Sequence, residues 1–154
     1  MRALIGVVSD THNLLRPEAL AALKGSELIL HAGDICRPEL LEELEKIAPV
    51  VAVRGNNDRG TWARRLATSL TIEVGGFRIH VLHHLKELDV DPVAKGFHAV
   101  VSGHSHRPLV LRKDGVLYLN PGSAGPRRFK LPVTVARLAV GKSGLRAGII
   151  ELTI

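Results

Sequence analysis

The stretch ALIGVVSDTHN, residues 3–13, decides the fold class, because a continuous apolar run stops there at a cluster of polar residues. Such a run is typical of a strand whose two faces are both covered. Two further runs of this kind follow, ELILHAGD at residues 27–34 and VVAVRGNND at residues 50–58. Helical patterns at residues 17–24 and 38–47 separate the strands, and the first begins with a proline, which suits an opening helical turn. This alternation predicts a parallel sheet with right-handed crossovers.

The second half of the chain has the pattern of β-hairpins. LTIEVGGFRIHVLHH, residues 70–84, turns at a Gly-Gly pair, and LVLRKDGVLYLN, residues 109–120, turns at an Asp-Gly pair. A helix-like stretch at residues 88–95 precedes the strand HAVVSG, and the tail predicts two strands joined at residues 141–144. We therefore expect an α/β fold of two mixed sheets packed face to face, with helices outside, in one domain over residues 1–154.

The composition is that of an ordinary globular domain, with 45% hydrophobic and 23% charged residues in 154. The single cysteine, Cys36, cannot form an internal disulfide, so nothing implies an oxidising compartment. The first apolar run meets Asp10 too early for a signal peptide, and no other segment approaches the length of a membrane span. We expect a cytoplasmic location and no membrane partner.

The chain is basic, with a net charge of +6 and a pI near 10.0. This charge could suit nucleic acid or another phosphorylated partner. The basic residues are scattered, however, apart from Arg64–Arg65 and PRRFK at residues 126–130, and no aromatic-interleaved platform for single strands is evident. Nucleic acid is therefore a partner that the charge allows but does not favour.

Polar side chains that can bind metals follow five predicted strands directly, where each strand ends. They are Asp10 and His12, then Asp34, then Asn56, Asn57 and Asp58, then His83 and His84, and finally His104 and His106. A single Asp or His in such a place is usually a cap or turn residue. Ligand sites in open α/β sheets lie at the carboxyl ends of strands, so five such ends together predict one shared site.

The chemistry of this set favours a transition metal. Imidazoles, carboxylates and an amide without a thiolate suit Mn, Fe, Zn or Ni better than Ca or Mg alone, and differ from a structural zinc site. The ligands suffice for two ions, and a carboxylate such as Asp34 could bridge them. Two ions about 3.5–4 Å apart can clamp a phosphoryl group and generate a hydroxide nucleophile near neutral pH.

The order D-x-H, G-D, G-N-x-D, a later His and G-H-x-H resembles the calcineurin-like metallophosphoesterases, and in particular their small single-domain YfcE-like phosphodiesterase branch. The resemblance covers essentially the whole chain, including NPGS at residues 120–123. It implies a four-layer α/β/β/α sandwich with a dinuclear metal centre at one edge. It also implies a metal-dependent phosphodiesterase, in which a hydroxide bridging two ions attacks phosphorus in line.

The resemblance assigns the ligands by position. One ion would bind Asp10, His12, Asp34 and His106, and the second would bind Asp34, Asn56, His83 and His104, with Asp34 as the bridge. The residues implied in catalysis are Asp10, Asp34, Asn56 and His104, with Asp58, which could orient the metal-binding loop. The cofactors would be two divalent ions, Mn first, with Ni, Fe, Zn or Mg as alternatives.

Two positions depart from the family pattern. Asn57 stands where many relatives carry a histidine implicated in protonating the leaving group, and an amide cannot act as a general acid at neutral pH. We therefore expect a preference for diesters with good leaving groups, or protonation by water or another residue. His83–His84 replaces the usual His-Gly pair; His83 aligns with the family ligand, but His84 is an alternative, since adjacent strand side chains point to opposite faces.

Several other polar residues near these motifs admit two interpretations. The candidates for phosphate contacts are Arg37, Arg59 and Arg107, which follow motifs, and Asn13. Each is explained equally well as a solvated or turn-forming loop residue. His31 could approach the site or make a structural hydrogen bond.

Three classes of function stay open from the sequence. The first is an enzyme acting on a small phosphate ester. The second is a non-catalytic scaffold of the same fold, like the retromer subunit Vps29, which loss of metal ligands would favour. The third is a basic nucleic-acid-binding module, which would bind its ligand without metals and with strong salt dependence. A homodimer is a further possibility, since dimers are frequent among relatives.

Overall fold

The computed structural model describes residues 3–154, so the first two residues of the expected domain lie outside the described range. The described residues form two five-stranded sheets. The strands are β1 (Ala3–Val8), β2 (Leu28–His31), β3 (Val50–Ala52), β4 (Ser69–Val74), β5 (Phe77–Leu82), β6 (Ala99–Val101), β7 (Leu109–Lys113), β8 (Val116–Asn120), β9 (Thr134–Gly141) and β10 (Gly144–Glu151). The helices are α1 (Pro17–Leu23), α2 (Pro38–Glu45) and α3 (Thr61–Arg64), with a 3-10 turn at Leu85–Glu87.

Each sheet is mixed and contains three neighbouring strands that run parallel to one another. The first sheet has the order β10-β9-β1-β2-β3, in which β1, β2 and β3 are parallel. The second has the order β4-β5-β6-β8-β7, in which β5, β6 and β8 are parallel. The predicted sandwich of two mixed sheets is confirmed. Its two sets of parallel strands deliver six carboxyl ends to the region that holds the polar motifs.

The main core lies between the sheets and is built from aliphatic side chains. Along β1, Ile5 and Val7 face the second sheet, whereas Val8 faces the helices. Gly6 also faces the helices, and a Cβ there would lie 2.7 Å from Leu23 Cδ2. The glycine therefore permits α1 to pack closely on the sheet. Burial of each aliphatic side chain of this kind stabilises the fold by about 1.5–3 kcal/mol.

The outer layers differ between the two sheets. On the first sheet, α1 and α2 bury apolar side chains, among them Leu23, Leu40 and Leu44. On the second sheet, the cover consists of the 3-10 turn and an irregular segment, whose Phe97 packs near Val100. The short helix α3 was not predicted. Across residues 3–154, no helix has the length and apolar character that a membrane crossing requires.

The predicted helix at residues 88–95 is wrong. Pro92 disfavours helical backbone at Asp91, so a helix cannot run through this point. One helical turn forms beyond it, closed by the hydrogen bond from Lys95 N to Asp91 O at 3.0 Å, and Gly96 follows with a φ of 71°. The apolar residues of the segment still pack on the second sheet, which explains their helix-like spacing.

Candidate metal centre

The loops after the strands interlock at one edge of the sandwich. Asp10 N donates to Gly33 O at 3.0 Å, which joins the loops after β1 and β2. Gly103 N donates to His83 O at 2.9 Å, which joins the loops after β5 and β6. The two sheets are then connected by the hydrogen bond from His104 N to Asp10 Oδ2 at 3.0 Å. The motifs from both halves of the chain thus form one cluster.

Five predicted ligands adopt left-handed backbone conformations, which are uncommon for residues other than glycine. They are Asp10, His12, Asp34, His104 and His106, with φ between 44° and 71°. Such conformations persist only where surrounding contacts enforce them, and they concentrate at functional sites. Close packing also requires glycine at position 103, because a Cβ there would overlap Ser9 Oγ.

The carboxylate of Asp10 lies at the centre of the cluster and is fully buried. Its Oδ2 accepts hydrogen bonds from Ser9 Oγ and His104 N. Its Oδ1 is buried and finds no hydrogen-bond partner among residues 3–154. Three imidazole nitrogens surround that oxygen instead: Nε2 of His106 at 3.5 Å, of His12 at 3.7 Å and of His83 at 3.9 Å.

Asp34 lies between two of these imidazoles, those of His12 and His83. Its Oδ2 is 3.3 Å from His83 Nε2 and 3.5 Å from His12 Nε2. Asp34 therefore contacts side chains that the sequence assigned to two different ions, as a bridging ligand must. Asp10 has the same property, which the sequence did not indicate.

Two groups of side chains in the described part of the chain bring their ligand atoms within 4.8 Å of one another. They are Asp10 with His12 and His106, and Asp10 with Asp34 and His83. His83 Nδ1 lies 2.7 Å from Ala32 O and donates to it, so Nε2 is the ring nitrogen that faces the carboxylates and the one that could bind a metal. Unpaired carboxylate oxygen together with converging imidazole nitrogens is the donor set of a divalent transition metal. The residues fit such ions.

The last two predicted ligands adjoin His83. His104 Nδ1 lies 3.2 Å from His83 Nε2 and 3.3 Å from Asn56 Oδ1. All seven predicted metal ligands are therefore brought together in one place. The side chains of Asn56 and His104 form the more exposed side of the cluster.

The electrostatics keep the carboxylates ionised. Burial raises the pKa of Asp10 and Asp34, but contacts with His12 and His83 and other hydrogen bonds outweigh it, so both lie below their usual range. Burial lowers the pKa of both His104 and His106. Burial also lowers that of His83, but the hydrogen bond to Asp34 and the two negative charges raise it overall. Ionised carboxylates and neutral imidazoles are the forms that bind metals, so His104 and His106 are already biased towards the binding form, whereas His83 would release a proton when a metal binds.

Asp58 holds the loops rather than facing the imidazoles. Its Oδ2 accepts from Asp34 N at 3.0 Å and Gly55 N at 2.8 Å, and its Oδ1 accepts from Ile35 N at 2.8 Å and Cys36 N at 2.7 Å. Four backbone donors saturate this buried carboxylate. This placement matches the expected orienting role. We infer that Asp58 positions the loops and does not contact the reacting atoms.

Asn57 contacts Asp34 through two donors. Asn57 N donates to Asp34 Oδ1 at 2.8 Å, and Asn57 Nδ2 donates to Asp34 Oδ2 at 3.0 Å. The amide at the position of the family histidine therefore orients a carboxylate. The sequence could not show this contact, because it depends on a loop 23 residues away.

The two adjacent histidines point to different surroundings. His83 is buried against Asp34, as described above. The ring of His84 stacks on His104 at 4.0 Å between centroids, and its Nδ1 lies 3.7 Å from Glu87. The geometry favours His83 as the ligand.

His31 makes structural hydrogen bonds. Its Nδ1 accepts from Gly33 N at 3.1 Å, so the tautomer that fits carries its proton on Nε2, which donates to Thr11 Oγ1 at 3.0 Å. Burial lowers the pKa of this imidazole to about 3. His31 is therefore neutral and fixes the loops after β1 and β2.

The four predicted substrate contacts lie on the surface. Within residues 3–154, the side chains of Asn13, Arg37, Arg59 and Arg107 have no hydrogen bond to the cluster. Arg59 lines a cleft of about 610 Å³ that also includes Asn56 and His83. Arg54 and Arg64 line the same cleft and were not predicted, since no motif contains them.

Asn120 and Ser123 also support the site without having been predicted to do so. Asn120 Nδ2 donates to Gly103 O at 3.0 Å, and Ser123 Oγ donates to Asp10 O at 3.0 Å. Their position at and just after the end of β8, in the NPGS segment, is the signal that could have found them, because β8 is the sixth of the parallel strands.

Comparison with known proteins agrees with this geometry. A family model described as the calcineurin-like phosphoesterase superfamily domain matches residues 3–143. A "probable metallophosphoesterase" from Methanothermobacter thermautotrophicus is 38% identical over 148 residues, covering 88% of this chain and 86% of that protein. A protein named a phosphodiesterase from Methanocaldococcus jannaschii is 25% identical, covering 96% of this chain and 99% of that protein.

A solved structure has a similar fold at lower sequence identity. It is a zinc-complexed Vps29 from Entamoeba histolytica, with a TM-score of 0.74 and 19% identity, covering 97% of this chain and 99% of the other. This match concerns the fold alone.

Proposed function

This chain belongs to the calcineurin-like phosphoesterase superfamily, and we propose that it is a metal-dependent phosphodiesterase that hydrolyses small phosphate diesters. The observation that carries the proposal is the buried Oδ1 of Asp10. It has no hydrogen-bond partner within residues 3–154 and is surrounded by Nε2 of His12, His83 and His106. An unpaired buried carboxylate oxygen is costly, and binding of cations would offset that cost.

We propose two divalent ions, with Mn as the first choice. One would be held by Asp10, His12, Asp34 and His106, and the other by Asp34, Asn56, His83 and His104. When bound, such ions would neutralise charge on the phosphate and make a hydroxide nucleophile available near neutral pH. Ni, Fe, Zn and Mg are the alternative metals for this donor set.

The chain's own residues prepare this site in three ways. Asp58 holds the backbone of Asp34 and Gly55, so that two strand ends keep a constant separation. Asn57 orients the Asp34 carboxylate. His104 lies on the exposed side, where a bound phosphate ester would meet it.

The preference for diesters rests on Asn57. This amide occupies the position at which the resemblance expects a proton donor for the leaving group, and it already donates to Asp34. A leaving group that departs without protonation is then favoured. The relative from Methanocaldococcus jannaschii carries the name phosphodiesterase, which supports the same choice.

The test compares two esters with the same chromophore. The protein is stripped with a chelator, and hydrolysis of bis-p-nitrophenyl phosphate and p-nitrophenyl phosphate is measured after adding Mn, Ni or Mg. We expect a metal to restore activity and the diester to be preferred. Asp34→Ala should lose the activity and one or both ions, whereas the exposed Asp91→Ala should retain them. Failure of every metal to restore hydrolysis of either ester would overturn the proposal.

The same experiment separates the alternatives. A zinc-complexed Vps29 has this fold, so metal binding by itself does not distinguish an enzyme from a scaffold, and turnover does. A nucleic-acid-binding module would bind its ligand after metal removal, with affinity falling steeply as salt rises. The cytoplasmic location and the homodimer stay predictions.

A further inference from the structure

A basic loop lies against the candidate metal centre. We define the basic loop as residues 125–130, GPRRFK. Its start is tied to the loop that carries Asp10: Ala124 N donates to Ser9 O at 3.1 Å, and Arg16 Nε donates to Gly125 O at 3.0 Å. Gly125 touches Thr11 so closely that a Cβ would overlap the Thr11 carbonyl oxygen. The basic loop therefore has a defined position beside the His12 side of the centre.

Phe129 is the most exposed large apolar side chain described, with 90% of its surface open to solvent. The hydrogen bond from Leu131 N to Arg128 O, at 3.0 Å, closes a turn with Phe129 at its tip. Its φ of 53° is an outlier for a bulky residue. An exposed aromatic ring is costly to hydrate, and it offers a flat apolar face to a ligand.

Cationic residues flank Phe129 in the chain. Arg127, Arg128 and Lys130 are all exposed, and the loop contains no acidic residue. The basic loop therefore carries three exposed cations beside its aromatic residue in the chain, on a segment whose start is anchored to the loop that carries Asp10.

We propose that the basic loop binds the nucleoside side of a nucleotide phosphodiester, with Phe129 stacked on the base and Arg128 near the phosphate. This inference rests on the proposed function and specifies its substrate class. A base offers a flat π-face and its phosphate an anion, which are the two chemistries that this loop presents together. Arg127 and Lys130 add attraction for the same anion.

The test uses two diesters with one leaving group. Thymidine 5′-(p-nitrophenyl phosphate) and methyl p-nitrophenyl phosphate both release p-nitrophenolate, but only the first carries a base. We expect Phe129→Ala to lower kcat/KM for the thymidine ester about 5- to 140-fold, the range of one base–aromatic stack. The methyl ester should change by less than about twofold. Phe129→Trp should keep the preference.

Leu111→Ala provides the matched control, because Leu111 is a large apolar residue that is 48% exposed on the edge strand β7. We expect it to affect neither ester. If Phe129→Ala lowers kcat/KM equally for both esters, or for neither, the inference is wrong. The proposed function still stands in that case, provided that the wild type hydrolyses both esters.

If the wild type hydrolyses neither ester with any metal, the proposed function fails, and binding tests the basic loop separately. Titration calorimetry with thymidine 5′-monophosphate should then give a dissociation constant that Phe129→Ala raises about fivefold or more. Equal affinity of the two proteins would refute the role of the ring.

Discussion

Replacing Asp58 with asparagine tests whether one carboxylate holds the metal-binding loops in place. Asp58 accepts four backbone N–H groups, two on each oxygen, from residues that follow β2 and β3. Asparagine has nearly the same shape but only one acceptor oxygen. Its amide nitrogen would face two N–H donors, so two charge-assisted hydrogen bonds are lost.

The expected loss follows from those contacts. A hydrogen bond to a charged group contributes about 1.5–3 kcal/mol, so two lost bonds predict a loss of about 3–6 kcal/mol in the free energy of unfolding. Asp58 is buried, so water cannot replace the missing acceptor. This is a large part of the roughly 5–15 kcal/mol that stabilises a typical domain. Metal affinity should also fall, by about 10–100-fold, as for other residues that orient ligands.

The assay is urea denaturation in the presence of a chelator, so that bound metal does not contribute to stability. Asp91→Asn is the control, since this exposed carboxylate accepts a single backbone hydrogen bond, from Val93 N at 3.1 Å. It should change stability by less than about 0.5 kcal/mol. If Asp58→Asn is as stable as Asp91→Asn, the four hydrogen bonds do not hold the loops and the reasoning fails.

Three further predictions concern single residues. His83→Ala should lose at least one ion per chain by elemental analysis while His84→Ala keeps both, and the opposite result would exchange their roles. The pKa of His31 is about 3 in the folded protein, against a reference value of 6.5. The neutral imidazole therefore stabilises the fold fully above about pH 6.5. Acidification to pH 5 should lower the free energy of unfolding by about 2 kcal/mol. Chelated wild type should therefore lose more stability between pH 7 and 5 than His31→Gln does, and equal losses would contradict this. Gly103→Ala should reduce metal binding and lower Tm, because the added methyl overlaps Ser9 Oγ; an unchanged Tm would show that the loops have room.

Much of the centre could be predicted from the sequence because every ligand lies shortly after the end of one of five strands. The seven predicted metal ligands lie together, and the family resemblance is confirmed. Strand ends are marked locally, by an apolar run that stops at a polar residue. Parallel topology then brings those ends to one edge of each sheet.

The rest depends on contacts between residues far apart in the chain. The hydrogen bond from His83 to Ala32 spans 51 residues, and it is what directs His83 rather than His84 to the carboxylates. The role of Asn57 rests in the same way on Asp34. No periodicity in either segment encodes such a pairing.

The sequence by itself determined the order of the ten strands and of α1 and α2, the sandwich of two mixed sheets, and the set of side chains proposed as metal ligands. Local apolar patterning and residue chemistry suffice for those. Only the tertiary structure decided that Asp10 is shared by both ligand groups, that Asp58 binds loop backbone, and that the PRRFK run lies beside the centre. The physical reason is that these properties arise from hydrogen bonds and close packing between loops, which exist only after the two sheets have come together.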